Sequence, residues 1–255
     1  MALYVYGLMW ASDAAGACRD AKAGGPALRT VEHEEVAALV SRVSDRDLKL
    51  RRENLRAHTD VLQAAFRHGP VLPLRFGTAL PDENAVKRDL LAPRAERFRT
   101  RLDALEEKAE MQVKATYLEE PLLRSLLAQD PRLAQTAQRV RELPSDATHF
   151  ERIGLGEAIT AAIVERRASD GQELLDALRP LALALVVGEL QHERSVFNGA
   201  FLVEAGRIDE FDAAVEELSR ARAGQMQFKL IGPMPAHSFA DRDWERQTVG
   251  STARG

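Results

Sequence analysis

The order of periodic segments in the second half of the chain constrains its fold more than any other feature. Residues 111–117 (MQVKATY) alternate, with Met111, Val113, Ala115 and Tyr117 on one face, which is the period of a half-buried strand. Helical patterns follow. Asp130-Pro131 is a helix start with proline at the first helical position. Thr148 and Glu151 are spaced as a capping box ahead of Ile153, Ile159, Ile163 and Val164. A further helix is predicted from about 170 to 179, stopped by Pro180. Residues 181–190 (LALALVVGEL) are apolar on both faces, which predicts a central strand. A connection at 191–194 leads to a strand at 195–204 (SVFNGAFLVE). Helix 207–222 carries Ile208, Phe211, Val215 and Leu218 on one stripe, and 225–231 (QMQFKLI) alternates again. Strand, helices, strand, strand, helix, strand is the β-α-β-β-α-β order of a ferredoxin-like domain. Its first crossover is over-long and predicts a helical insertion at about 119–180.

The first half reads as a separate mixed α+β unit. Residues 3–10 (LYVYGLMW) are apolar on both faces, as in a buried central strand. A small-residue loop with Gly16, Gly24, Gly25 and Pro26 is predicted next, then short strands near 27–32 and 37–43, the second with a helical alternative. Helix 46–67 has Leu48, Leu55 and Leu62 on its stripe, Ser44 or Asp45 as cap, and Gly69-Pro70 as stop. VLPLRF (71–76) is a strand by composition, and Pro73 confines it to an edge or a bulge. A charged helix at about 82–108 should kink or break at Pro93. The predicted class is therefore α+β with two domains: 1–108, a mixed α+β domain, and 109–240, a modified ferredoxin-like domain with inserted helices. Residues 241–255 form a tail.

Composition excludes several functions. With 35 basic and 39 acidic residues the net charge is −4, which argues against non-specific nucleic-acid binding. The single cysteine, Cys18, excludes an internal disulfide framework and a cysteine-based zinc site, and fits a cytoplasmic setting. The longest apolar run, Leu181 to Val187, is far shorter than the roughly 18 residues a membrane span needs.

No catalytic constellation emerges. There is no Walker A sequence, no G-x-S-x-G elbow and no H-E-x-x-H motif. Gly154-Leu155-Gly156 lacks both a preceding strand and the third glycine of a dinucleotide loop. His58, between Leu55 and Leu62, reads as a hydrogen-bonded core residue. Glu110 and Lys114 point to one face of their strand and are spaced to pair there. Arg75 follows Pro73 on the predicted edge strand and is a candidate for a salt bridge or a partner contact. The residues alone thus fit a binding or assembly protein better than an enzyme.

Several segments resemble a family. His58-Thr59-Asp60-Val61-Leu62 followed by Val71-Leu72-Pro73-Leu74-Arg75-Phe76-Gly77-Thr78 is similar to the signature of the GvpF/GvpL gas vesicle proteins. Leu3-Tyr4-Val5-Tyr6-Gly7, Glu110-Met111-Gln112-Val113-Lys114, Phe201-Leu202-Val203-Glu204 and Gly232-Pro233-Met234-Pro235-Ala236-His237-Ser238-Phe239 agree in order and spacing. The closing block departs from the family pattern at Met234, Ala236 and His237. The resemblance implies an accessory protein of gas vesicle formation that is non-enzymatic and free of cofactors. It would associate with gas vesicles and act with the hydrophobic shell protein and other accessory proteins. F-like and L-like roles both remain open. The candidate partner-binding residues are Pro73, Arg75, Phe76, Lys114 and Phe239. The alternatives are a minor structural component of the vesicle wall, and a small-molecule enzyme or sensor on a ferredoxin-like sheet.

Overall fold

The computed structural model describes residues 2–20, 27–43, 51–142 and 149–240. The predicted caps Ser44 and Asp45, the Thr148 half of the capping box, Gly24 to Pro26 and the 241–255 tail lie outside these. By internal contact the chain divides into two compact units. One comprises Met1–Met111, Leu202–Ile208 and Gly232–Gly255; the other comprises Gln112–Phe201 and Asp209–Ile231.

The first sheet is built around β1 (Ala2–Trp10), with β2 (Arg29–His33), β3 (Val36–Val43) and β4 (Val71–Pro73) in the order β2-β3-β1-β4. A two-residue strand, β5 (Ala79–Leu80), pairs with β1 as well. β1 is central because it is apolar on both faces, and both faces are covered. On one side lie α1 (Ala11–Asp20) and α2 (Arg52–Phe66), whose Ala14, Ala17, Val61, Leu62 and Ala65 join Tyr4, Tyr6 and Met9 in one core cluster. Tyr4 and Tyr6 are even-numbered and Met9 is odd, yet they share a face. A bulge between Val5 and Gly7 shifts the β1–β3 register by one residue. Gly7 is required there: a Cβ would lie 2.8 Å from Leu62 Cδ2 and 2.9 Å from the Leu72 carbonyl oxygen.

The segment from Glu83 to Leu105 also packs against this sheet. It begins as α3 (Glu83–Ala85), capped by the Asp82 carboxylate accepting from the Ala85 N–H at 2.8 Å. A π-helical stretch (Val86–Leu91) and a 3-10 turn (Ala92–Arg94) follow, and then α4 (Ala95–Leu105). Pro93 sits in the 3-10 turn, so the expected break occurs where a missing N–H dictates it. The helix ends at Leu105 rather than 108, because Glu107 adopts a positive φ and β6 begins at Lys108.

The segment predicted as a loop after β1 is instead α1. Its alanines are small enough to lie flat on the sheet, and Gly16 leaves room for the His68 ring, which a Cβ would approach to 2.5 Å. The element order β1-α1-β2-β3-α2-β4 and the strand order β2-β3-β1-β4 are therefore the ferredoxin-like arrangement expected only of the second half.

The second sheet contains β6 (Lys108–Tyr117), β7 (Ala184–Val187), β8 (Ser195–Glu204) and β9 (Met226–Met234), in the order β7-β8-β6-β9. That is the same arrangement, with α5 (Glu119–Gln129), α6 (Pro131–Glu142) and α7 (His149–Leu178) in the first crossover and α8 (Ile208–Ala221) in the second. Asp130 caps α6, its Oδ1 accepting from the Arg132 N–H at 2.8 Å. Met111, Val113, Ala115 and Tyr117 are all buried, as their alternation predicted.

Two expectations for this half are corrected. The helices predicted to be separate before and after residue 170 form one 30-residue helix, α7, because no breaker lies between them. The strand predicted at 181–190 as central has four residues and stands at the sheet edge. Its two-sided apolar character does not arise from burial on both faces: Val187 is 57% exposed.

A buried polar network fastens α7 to its sheet. Tyr117 donates to Asp170 Oδ2 at 2.6 Å, and Arg222 Nη1 donates to Asp170 Oδ1 at 2.9 Å. Arg166 bonds the same carboxylate at 3.4 Å and Ser125 Oγ at 2.6 Å. Burial and the Asp170 carboxylate both push the Tyr117 hydroxyl well above its ordinary range, so it remains a donor.

Candidate functional site

The expected strand over 71–76 ends at Pro73, which removes the next ladder donor. β4 does occupy a sheet edge. Beyond it, the Leu74 N–H still reaches the Tyr6 carbonyl at 3.0 Å, and the chain then turns. The Thr78 N–H and hydroxyl both donate to the Arg75 carbonyl, at 3.2 and 2.7 Å. Gly77 has φ +90°, the left-handed value that the third residue of a type II turn demands. Arg-Phe-Gly-Thr is therefore a turn whose glycine sets the path and whose threonine closes it.

His58 holds this turn in place. The Gly77 N–H donates to the Tyr4 hydroxyl at 3.2 Å, so that hydroxyl directs its own proton to His58 Nδ1, 2.9 Å away. The remaining ring N–H, on Nε2, meets the Leu74 backbone carbonyl. Four rings interlock around this chain of bonds. Tyr4 and Tyr6 have centroids 4.7 Å apart, Tyr6 and His58 stack at 5.7 Å, and Phe76 meets Tyr4 and His58 edge-on at 5.9 and 5.8 Å. Burial, with His237 nearby, lowers the His58 pKa to about 4, so the ring is neutral at physiological pH. His58 is thus a hydrogen-bonded core residue and not a ligand.

The five candidate residues are placed differently. Arg75 is exposed at the turn and Phe76 is half-buried beside it. Pro73 is buried, and Phe239, only 1% exposed, is a core residue, so neither presents a side chain to a partner. Lys114 is half-buried and belongs to the other compact unit. The expected Glu110–Lys114 pair is replaced by another contact. Glu110 is buried, and both its oxygens are taken by Ser238, from the N–H at 2.7 Å and the hydroxyl at 2.8 Å. This clasp, with Gln63 donating to the Pro233 carbonyl at 2.9 Å, fixes the closing block that contains Phe239.

A second surface was missed in the sequence. α7, β7 and β8 enclose an apolar groove of about 370 Å³, lined by Val164, Leu175, Val187, Leu190, Val196 and Phe197. Val164 and Leu190 are 48% and 39% exposed. As an edge strand β7 has one side open to a further strand. Asn198 lines the groove. Its Nδ2 donates to the Glu189 carbonyl at 3.0 Å, and its Oδ1 is buried with no partner among the described residues. The available signal was the two-sided apolar run at 181–190, which reads equally as burial or as an interface.

Among the described residues no group of histidine, cysteine or carboxylate side chains could hold a metal ion, and no helix is long and apolar enough to cross a membrane. The described residues thus form two α+β units with a locked turn, a sheet edge at β7 and an exposed apolar groove.

Comparison with known proteins shows the family. The family model described as gas vesicle synthesis protein GvpL/GvpF matches residues 2–241, and the chain belongs to that family. It is 35% identical over 243 residues to gas vesicle protein F of Streptomyces sp. (strain CB03234), covering 94% of this chain and all of that one. It is 28% identical over 245 residues to gas vesicle protein L of the same strain, covering 85% of this chain and 84% of the other. The crystal structure of GvpF from Anabaena sp. PCC7120 superposes with a TM-score of 0.74 at 22% identity, over 94% of this chain and 98% of that one, and shows the same fold.

Proposed function

We propose that this protein is a non-enzymatic accessory factor that binds the hydrophobic gas vesicle shell protein, and other accessory proteins, during assembly. Membership of the family carries the role in gas vesicle formation. The observation that supports the finer reading is the groove between α7 and the edge strand β7. An apolar shell segment would aggregate if left in water, and a groove with exposed valine and leucine walls beside an unpaired strand edge can shelter it. The turn at Arg75 and Phe76 offers a second contact. The 1–108 and 109–240 division and a cytoplasmic, vesicle-associated location belong to this reading. So does an F-like role, supported by the higher identity to protein F than to protein L of one Streptomyces strain.

The test is co-purification with the shell protein. Val187→Asp and Leu190→Asp each place a charge where an apolar partner would dock. Losing burial of one such side chain is worth about 1.5 kcal/mol, so capture should fall about ten-fold or more in each variant. Undiminished capture by both rules out the groove, and undiminished capture by Arg75→Ala and Phe76→Ala rules out the turn.

A further inference from the structure

The interlocked rings behind the Arg75 turn do not fill their space. They line a cavity of about 260 Å³, together with Ser41, Arg42, Asn54 and Ala57. This is room for a six-membered ring and a short arm, given that an engineered void of about 150 Å³ accepts benzene. We propose that this cavity is a binding site for an aromatic ring carrying a carboxylate on a short arm.

Three features specify that chemistry. The walls are π-systems: Tyr4, Tyr6, His58 and Phe76 already meet one another edge-on or stacked, and a further ring extends the same packing. The lining also carries polar groups. The Tyr6 hydroxyl and Ser41 Oγ lie 3.0 Å apart, both residues are buried, and Asn54 on α2 lines the same cavity. Among the described residues lining the cavity none is acidic, and the exposed Arg42 is the charged one. Asn54 belongs to the first turn of α2, where the helix dipole is positive. Arg51 at the N-cap and Arg52 after it outnumber the one acid of that turn, Glu53, so this helix end keeps a positive excess. A carboxylate held by Arg42 answers that excess, while the ring occupies the aromatic walls.

The cavity shares no residue with the groove beside β7, and it shares Phe76 with the turn proposed as a second contact for the shell protein. Its ligand could be a free arylalkanoate or the C-terminal aromatic residue of a polypeptide, which carries the same ring and carboxylate.

The experiment titrates the full-length protein with phenylacetate and with N-acetyl-glycyl-phenylalanine, followed by calorimetry and by the Gly77 and Ser41 amide resonances. Phenylacetamide and the peptide amide serve as neutral counterparts. At least one carboxylate should bind, shifting both resonances, with its amide about ten-fold weaker for want of the charge-assisted contact. The tighter of the two carboxylates identifies the source. Arg42→Gln should abolish the preference for carboxylate over amide. Ala57→Leu, at an exposed helix position where the larger side chain need not disturb the core, should abolish binding by occupying the cavity. The proposal is overturned if neither carboxylate binds at about 10 mM, if amides bind as well as acids, or if Ala57→Leu leaves binding unchanged.

Discussion

Replacing His58 with glutamine should change how stability depends on pH, not only how large it is. The imidazole has an ordinary pKa of 6.5, which burial lowers to about 4 in the folded protein. Each unit is worth about 1.4 kcal/mol, so the full difference approaches about 3 kcal/mol. The ring is not wholly buried, and solvent screening leaves about 2 kcal/mol of this. The folded state prefers the neutral ring. Its contribution is therefore complete above pH 6.5 and is lost as pH falls through about 4. Glutamine does not titrate. At about pH 7.5 the variant should be less stable by about 1 kcal/mol, because it cannot satisfy both Tyr4 and Leu74 in the imidazole geometry. Urea unfolding followed by circular dichroism at steps down to about pH 4 should show that deficit closing and then reversing. Groups other than the neighbouring His237 act on both proteins alike, so the difference between the curves reports His58 together with its coupling to His237. Parallel curves across the whole range would refute the assignment of His58 as a neutral, buried clamp.

Gly77→Ala should lower stability by about 1–2 kcal/mol, because φ +90° is strained for a residue with a Cβ, whereas Gly77→Asn should cost less; thermal melts compare the two. Asp170→Ala leaves Arg222, Arg166 and Tyr117 without their shared acceptor and should cost about 3 kcal/mol by urea denaturation, while a loss under about 1 kcal/mol would show the network to be peripheral. Glu110 shifts in the sense opposite to His58: burial raises its pKa, so its contribution is complete below about 4.5 and is lost as pH rises through the folded value. Glu110→Gln should therefore flatten the decline of stability above that range, and an unchanged slope would place the carboxylate in water.

What could be read from the sequence followed from periodicity. β6 and α8 lie where alternation and a single apolar stripe put them, since each has one face more deeply buried than the other, while β8, predicted from its apolar run, is buried on both faces. α1 gave no such signal, because alanine and glycine are compatible with a tight helix–sheet contact and with a loop alike. β7 was visible as a strand but not as an edge, since a run of leucine and valine does not reveal whether its cover comes from the same chain. The turn at Arg75 was legible as a place of interest. Its mechanism was not, because Tyr4 and His58 are 54 residues apart and only the folded sheet brings the hydroxyl to the imidazole. Phe239 became a candidate through the resemblance of the closing block, but the Glu110 clasp on the neighbouring Ser238 holds its turn, and the ring lies inside.

The central position of β1 bears on synthesis. β1, buried on both faces, is synthesised before its partners, residues 36–43, 71–73 and 79–80, and before Glu83–Leu105, which covers it. At about 5–20 residues per second, the nascent chain carries LYVYGLMW unpaired for several seconds before that cover exists. During translation this protein would thus be briefly a client for chaperones, exposing the kind of surface that its folded form is proposed to shelter in another chain.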